Sequence, residues 1–376
     1  MALADGVSVR KASGTGVEAK SSLLSSRAAL GRRPPDALEQ RRAAYVLALF
    51  GAPQGDELTA SQRRAAASLL TGVSILREHR SAFPTVAMLS AEWFAKRVLT
   101  SGLEKLHAKP LPMTSVRTPN CTGHKTRWKT LSLTYSILAI WSLEQFHVVL
   151  YLDTDVAVVR SLDHVLLYML RSPALTEMRS AAGCAELAQD PAASSPVEHC
   201  MQRSACYNTG VWAVRPNQST FERLLRYLEG GRSPCGNGFQ MAAHHFWSTH
   251  TCGGRADGHD CVDSNWESLP GAGYNLKHVC LGGHWTGSLP TTLRGSDIFV
   301  VHWSGASKAP ELVRQGQPSR RHQRTYRAVE SVVLNATRDY AATYDQMATW
   351  MAAVATERTE TSLIGHVSYD TRRGRG

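Results

Sequence analysis

No apolar run in the 376-residue sequence approaches the roughly 18–20 residues that a membrane-spanning helix requires. The longest candidates, Ala43 to Phe50 and Val148 to Leu152, are strand-sized, so a helical membrane span is not expected. The eight cysteines include no C-x-x-C pair, which argues against a zinc site. No basic stripe is interleaved with aromatics, so nucleic acid is a disfavoured partner. The opening Met-Ala-Leu-Ala-Asp has no apolar signal core. Charged residues are scarce, at 19% against 43% hydrophobic, a globular composition that excludes a mostly disordered chain. Acidic residues are the scarcer sign. Their 31 against 42 Lys and Arg leave a net charge of +11, which admits anionic partners such as phosphate-bearing small molecules.

The length fits one large or two modest domains, at roughly 100–200 residues each. Residues 1–42 are rich in Ser, Ala, Gly and Arg without apolar periodicity and read as a disordered basic lead. Tyr45 to Phe50 has the pattern of a buried parallel strand. Ala60 to His79 reads as an amphipathic helix with Leu69, Val73 and Leu76 on its apolar face. Thr85 to Leu89 is a second strand and Glu92 to His107 a second helix. This β-α-β-α order predicts an α/β domain with a parallel sheet.

Leu131 to Leu143 reads as helical, and Phe146 to Leu152 is the most apolar strand in the chain. Val156 to Val159 continues apolar, and Leu162 to Leu170 resumes a helix. Gly210 to Val214 is a strand, Ser219 to Leu228 a helix, and Ile298 to Val301 the final strand. Segments near 180–206 and 230–292 have little periodicity and are expected as insertions; seven cysteines fall between Cys184 and Cys280. The main domain is thus expected over 43–322. Residues 323–376 form a helical C-terminal appendage and basic tail, with the helix over Gln323 to Thr356.

The clustered cysteines and the sequons at Asn120, Asn217 and Asn335 suit an oxidising compartment. The leaderless start suits the opposite. The expectation is cytoplasmic if the chain is complete, and Golgi or secretory lumen if a leader or anchor precedes it.

The chemistry concentrates where Val148 to Leu152 runs into Asp153-Thr154-Asp155. Ligands of open α/β sheets bind beyond the carboxyl ends of strands. Residues i and i+2 of an extended segment face the same way, so two carboxylates meet there and repel unless a cation is shared. A hard divalent cation with oxygen ligands resolves the repulsion. The alternative is a strand-end turn with an Asp cap. The last strand supplies His302 in His302-Trp-Ser-Gly305-Ala-Ser-Lys308. Imidazole beside two carboxylates suits Mn²⁺ better than Mg²⁺. Gly305 lets backbone approach a phosphate, and Lys308 supplies a point charge for it. Tyr207-Asn208-Thr209-Gly210 at the mouth of a strand presents amide groups suited to a polyol, or simply a turn.

Taken in order, YVLALF, VVLYLDTDVAVVRSLDHVL, YNTGVWAVRPNQSTFERLL, GFQ, LPGAGYNL and VVHWSGASK resemble glycosyltransferase family 8 over about residues 43–310. The resemblance implies a GT-A-type, Rossmann-like single catalytic domain with a mixed, mostly parallel sheet. It implies retaining transfer of a hexose from a nucleotide-sugar donor, usually a UDP-sugar. By position, Asp153, Asp155 and His302 match the Mn²⁺ ligands, with Mg²⁺ as the second choice. Thr154, Gly305 and Lys308 match donor contacts, and Asn208 and Gln240 match positions near the transferred sugar. The acceptor, whether glycan, polyol, lipid or protein, is left open.

Three positions depart from the family pattern. Phe239-Gln240 replaces Asp-Gln, and Ile137 stands where a Lys is usual, with Lys125, Arg127 or Lys129 as substitutes. Phe50-Gly51-Ala52 replaces the polar residues that often contact the uracil. No tyrosine lies between Asn275 and His302, so self-glucosylation of the glycogenin kind is not expected. These departures motivate a second reading, a relative that binds nucleotide-sugar or glycan without turnover. A nucleotidyltransferase is disfavoured because the loop after the first strand, Gly51-Ala-Pro-Gln-Gly-Asp-Glu, has no Lys or Arg.

Overall fold

The structure is a computed structural model that describes residues 34–51, 58–113, 116, 133–181, 207–230, 243, 246, 266–269, 271–277, 294–303 and 327–367. All eight cysteines, and with them most of the two expected insertions, lie outside the described residues. Among the described residues, ten strands form two sheets. The larger joins β1 (Ala43–Leu49), β2 (Thr85–Ser90), β3 (Ala108–Met113), β4 (Val148–Leu152), β6 (Glu177–Ala181), β7 (Tyr207–Val214) and β8 (Trp266–Leu269). Its strand order is β3-β2-β1-β4-β7-β6-β8. Only β7 runs against the others, because it pairs antiparallel with both β4 and β6 while every other pairing is parallel. The mixed, mostly parallel α/β class is therefore as expected. The smaller sheet holds β5 (Val156–Val158), β10 (Val300–His302) and β9 (Leu276–Lys277) in that order.

The period-2 geometry of strands explains why β1 and β4 read as unbroken apolar runs. Tyr45, Leu47, Val148, Leu150 and Leu152 face one core, and Ala44, Val46, Val149 and Tyr151 face the other. Both faces are covered. The first is packed by α2 (Ala60–Glu78), α4 (Arg97–Lys105), α5 (Asp163–Arg171) and α8 (Arg327–Val367). The second is packed by the 3₁₀ helix Leu133–Ser142 and by α6 (Gln218–Glu229).

Several local features differ from expectation. The lead expected to be disordered ends in a helix, α1 (Ala37–Arg42). Asp36 and Glu39 form a capping box, and Glu39 also pairs with Arg171 of α5, so local and tertiary contacts together hold this turn. The helix expected over 92–107 is two: α3 (Ala91–Phe94) and α4. The second stops at His107, whose positive φ of 59° turns the chain into β3. Strand β3 escapes sequence reading because it contains Pro110 and Pro112, residues confined to sheet edges, and an edge is where it lies. Leu133–Ser142 is 3₁₀ rather than α. Tyr135 to Trp141 are all buried, so no polar face marks the helical pitch. β8, α7 (Gly271–Tyr274) and β9 lie within the 230–292 stretch, expected as an insertion of little periodicity.

The C-terminal helix is more than an appendage. Val329, Val333, Ala336, Tyr340, Tyr344 and Met351 of α8 join the main core. The packing is close: a Cβ at Gly102 of α4 would come within 2.6 Å of the Trp350 ring. Gly273 of α7 is tighter in kind, because its Cβ would lie 2.5 Å from the backbone oxygen of Asp297, which cannot rotate away. Gly273→Ala is accordingly expected to lower stability by about 1–3 kcal/mol, measured by urea unfolding. An unchanged midpoint would show that the 295–297 turn yields freely.

Candidate metal centre

The chain changes sheets at Asp153-Thr154-Asp155. Asp153 ends the ladder of the large sheet, donating its N–H to the Gly210 carbonyl on β7 at 3.0 Å. Immediately after, β5 pairs antiparallel with β10, setting Val156 opposite His302. The ladder extends one step back, where Trp303 N–H donates to the Asp155 carbonyl at 3.0 Å. The corner between two sheets thus brings the Asp pair and His302 together across nearly 150 residues. One ligand atom from each of Asp153, Asp155 and His302 lies within 4.8 Å of the others. His302 Nε2 is 3.3 Å from Asp155 Oδ1 and 3.9 Å from Asp153 Oδ2.

Burial orders the three. His302 is 3% exposed, whereas the two carboxylates are partly open to solvent. The other imidazole nitrogen, Nδ1, lies 2.7 Å from Oδ1 of Asn275, a residue with no solvent exposure. A carbonyl oxygen only accepts, so this partner assigns the proton to Nδ1. Nε2 then presents its lone pair toward the carboxylates, as a metal-binding imidazole requires. Tyr151 donates its hydroxyl to Asp153 Oδ1 at 2.6 Å. Burial first, and then the Asp153 charge, raise the Tyr151 phenol well above its ordinary range, so it stays a donor. Two carboxylates and an imidazole of fixed tautomer suit a divalent cation that accepts both oxygen and nitrogen ligands.

From behind, Tyr340 of α8 donates its hydroxyl to the Thr154 carbonyl at 2.6 Å. Its ring lies 5.0 Å from that of Trp303. Burial, the largest cause, pushes the Tyr340 phenol far up. Neither Asn275 nor Tyr340 stood out as a site residue in the sequence. Asn275 lies within the LPGAGYNL motif, directly before β9, and its place in that motif was the only available signal. Tyr340 reads as one more core aromatic on a helix.

Of the other expected site residues, Asn208 lies on β7 opposite Ser180, two positions from the Gly210 that binds Asp153. Gln240, Gly305 and Lys308 lie outside the described residues, as do Phe239, Lys125, Arg127 and Lys129. Ile137 is 7% exposed and belongs to the apolar cluster on the second face of the sheet.

The segment that carries Asn275 is braced by an aromatic group. Tyr274 stacks on Phe299 at 4.7 Å and lies within 2.6 Å of His164 Nε2 through its hydroxyl. Burial, the first cause, lowers the His164 pKa below its ordinary value of 6.5. A histidine held neutral in the fold takes up protons more readily when unfolded. Its contribution to stability is therefore present above the unfolded pKa, about 6.5, and lost as pH falls below it. The melting temperature should fall on acidification from about pH 7 to 5, and His164→Gln should flatten that slope. A slope identical in the variant would remove His164 as its source.

No family model and no curated protein sequence matches the chain. Among solved structures, it is similar to the galactosyltransferase LgtC in complex with donor and acceptor sugar analogs, with 12% identity, 78% of this chain and 95% of that chain covered, and a TM-score of 0.45. It is also similar to the glycosyltransferase GlyE of Streptococcus pneumoniae TIGR4, with 14% identity, 82% and 63% coverage, and a TM-score of 0.43. A third likeness is to the bifunctional glycosyltransferase WbbM, with 13% identity and a TM-score of 0.43 over 74% of this chain and about half, 48%, of that one. Likenesses this distant do not assign an activity, which rests on the residues of the site.

Proposed function

We propose that this chain is a metal-dependent glycosyltransferase that moves a hexose, with retention of configuration, from a nucleotide-sugar donor to an acceptor. The observation that carries the reading is the convergence of Asp153, Asp155 and Asn275-oriented His302 at the carboxyl end of β4. These three residues would hold the cation, with Mn²⁺ favoured over Mg²⁺ by the imidazole. A divalent cation there supplies charge that offsets the negative charge developing on a departing diphosphate.

The chain's own residues supply the rest. Tyr151 holds Asp153 in place, and Asn275 holds His302. Asn208 and Gln240 would orient the transferred sugar, and Thr154, Gly305 and Lys308 would contact the donor, as the motif order suggests. A UDP-sugar is the proposed donor. A second reading, donor binding without turnover, is favoured by Ile137, whose burial leaves no cation at a position where the resembled family carries one.

The test is nucleotide release by the purified protein over a panel of UDP- and GDP-sugars with Mn²⁺, with chelator and Asp155→Asn as controls. Release from one donor that requires both the metal and Asp155 supports transfer and names the sugar. Tight nucleotide binding without release from any donor supports the second reading.

A further inference from the structure

We propose that Tyr340, on the C-terminal helix, is a positioning residue that fixes the Asp153-Thr154-Asp155 corner for metal binding. This rests on the metal-site reading above and extends it to a part of the chain beyond the resembling motifs.

Three observations converge. The Tyr340 hydroxyl donates to the carbonyl of Thr154, the residue between the two carboxylates. Its ring packs on Trp303, whose backbone N–H donates to the Asp155 carbonyl and whose chain neighbour is His302. Tyr340 is 3% exposed, and it stands among Val333, Ala336 and Tyr344 of a helix seated in the main core. One side chain on a rigid support thus touches both segments that carry the metal ligands. A carbonyl held at Thr154 limits rotation of the peptide unit that joins Thr154 to Asp155, and so limits how far the carboxylates drift apart. Oxygen ligands bind a small divalent cation well only when their separation is set in advance.

Tyr340→Phe keeps the ring on Trp303 and removes only the hydroxyl. Three quantities are read in parent and variant without any donor sugar. They are Mn²⁺ affinity from the electron paramagnetic resonance of free ion, amide hydrogen exchange, and the melting temperature in chelator. The expected result is an affinity about tenfold weaker, faster exchange in peptides spanning 150–158, unchanged exchange in β1 and β2, and a melting temperature within a few degrees of the parent. Equal Mn²⁺ affinity with equal exchange over 150–158 overturns the proposal. So does faster exchange throughout the chain with a large fall in melting temperature, which would make Tyr340 only a core residue. If neither protein binds Mn²⁺ but exchange over 150–158 still rises in the variant, the positioning role stands and the metal reading fails.

Discussion

Asp155→Asn is expected to reduce Mn²⁺-dependent nucleotide release by about 10³-fold or more, while the fold is untouched or slightly firmer. The loss follows from what the side chain does. One of its oxygens faces His302 Nε2 at 3.3 Å, and an amide there offers a neutral oxygen or an N–H that repels a cation. Several kcal/mol of charge stabilisation would vanish, and each ~1.4 kcal/mol is a factor of ten in rate. The backbone is not at stake, since the Trp303 N–H bonds to the Asp155 carbonyl rather than its side chain. Removing one of two neighbouring like charges also relieves repulsion, so the melting temperature in chelator should hold or rise. Asp155 is a cleaner probe than Asp153, whose carboxylate also receives the Tyr151 hydroxyl. Release at parental rate in Asp155→Asn would remove the metal site from the reaction. A collapse of the fold would instead show that the carboxylate is structural.

Asn275→Ala should have the second largest effect, and on two quantities at once. The variant leaves His302 Nδ1–H buried without its acceptor, which costs about 1–3 kcal/mol of stability. It also frees the imidazole to rotate or change tautomer, and loss of such a partner weakens metal binding about 10–100-fold. Calorimetric Mn²⁺ titration and urea unfolding measure the two separately. Asn275→Asp offers the informative contrast. Its carboxylate still accepts from Nδ1, so metal affinity should recover relative to alanine. If alanine and aspartate variants bind Mn²⁺ equally, the contact with Asn275 does not orient the ligand.

Much of this site was legible in the sequence, and the reason is chemical. Asp153 and Asp155 end an apolar strand, and His302 ends another, so each carried a local mark of position and residue type. The antiparallel pairing that joins them, Val156 with His302, has no such mark. It spans nearly 150 residues between a three-residue strand and another of equal length, too short for any periodicity to show. Only the order of motifs hinted that the two ends meet. Asn275 and Tyr340 were missed because the partners that define their roles are distant in the chain, with hydrogen bonds at separations of 27 and 186 residues. An asparagine after a tyrosine and a tyrosine on an amphipathic helix are ordinary until the partner is known.

The fold shows the same division. β1, β2, β4 and the core face of α2 follow from apolar patterning, and Leu69, Val73 and Leu76 are buried as that pattern requires. The breaks do not follow. Whether residues 92–107 make one helix or two turns on Ala95 and Lys96, where the first helix closes with bonds to Ala91 and Trp93 and neither residue is a breaker by type. Tyr135 to Trp141 are buried on every side, so their composition says buried helix but not which pitch.

The prolines of β3 govern how this molecule meets others. β3 borders the large sheet and pairs with β2 along its whole length, Ala108 to Met113. Its inward amides are committed to that pairing, so the positions of Pro110 and Pro112 must face outward, where an imino nitrogen has no hydrogen to offer. A strand arriving from another molecule would find acceptors without the alternating donors a ladder needs. Self-association by strand addition, and the fibrous growth that follows from it, is opposed there by Pro110 and Pro112.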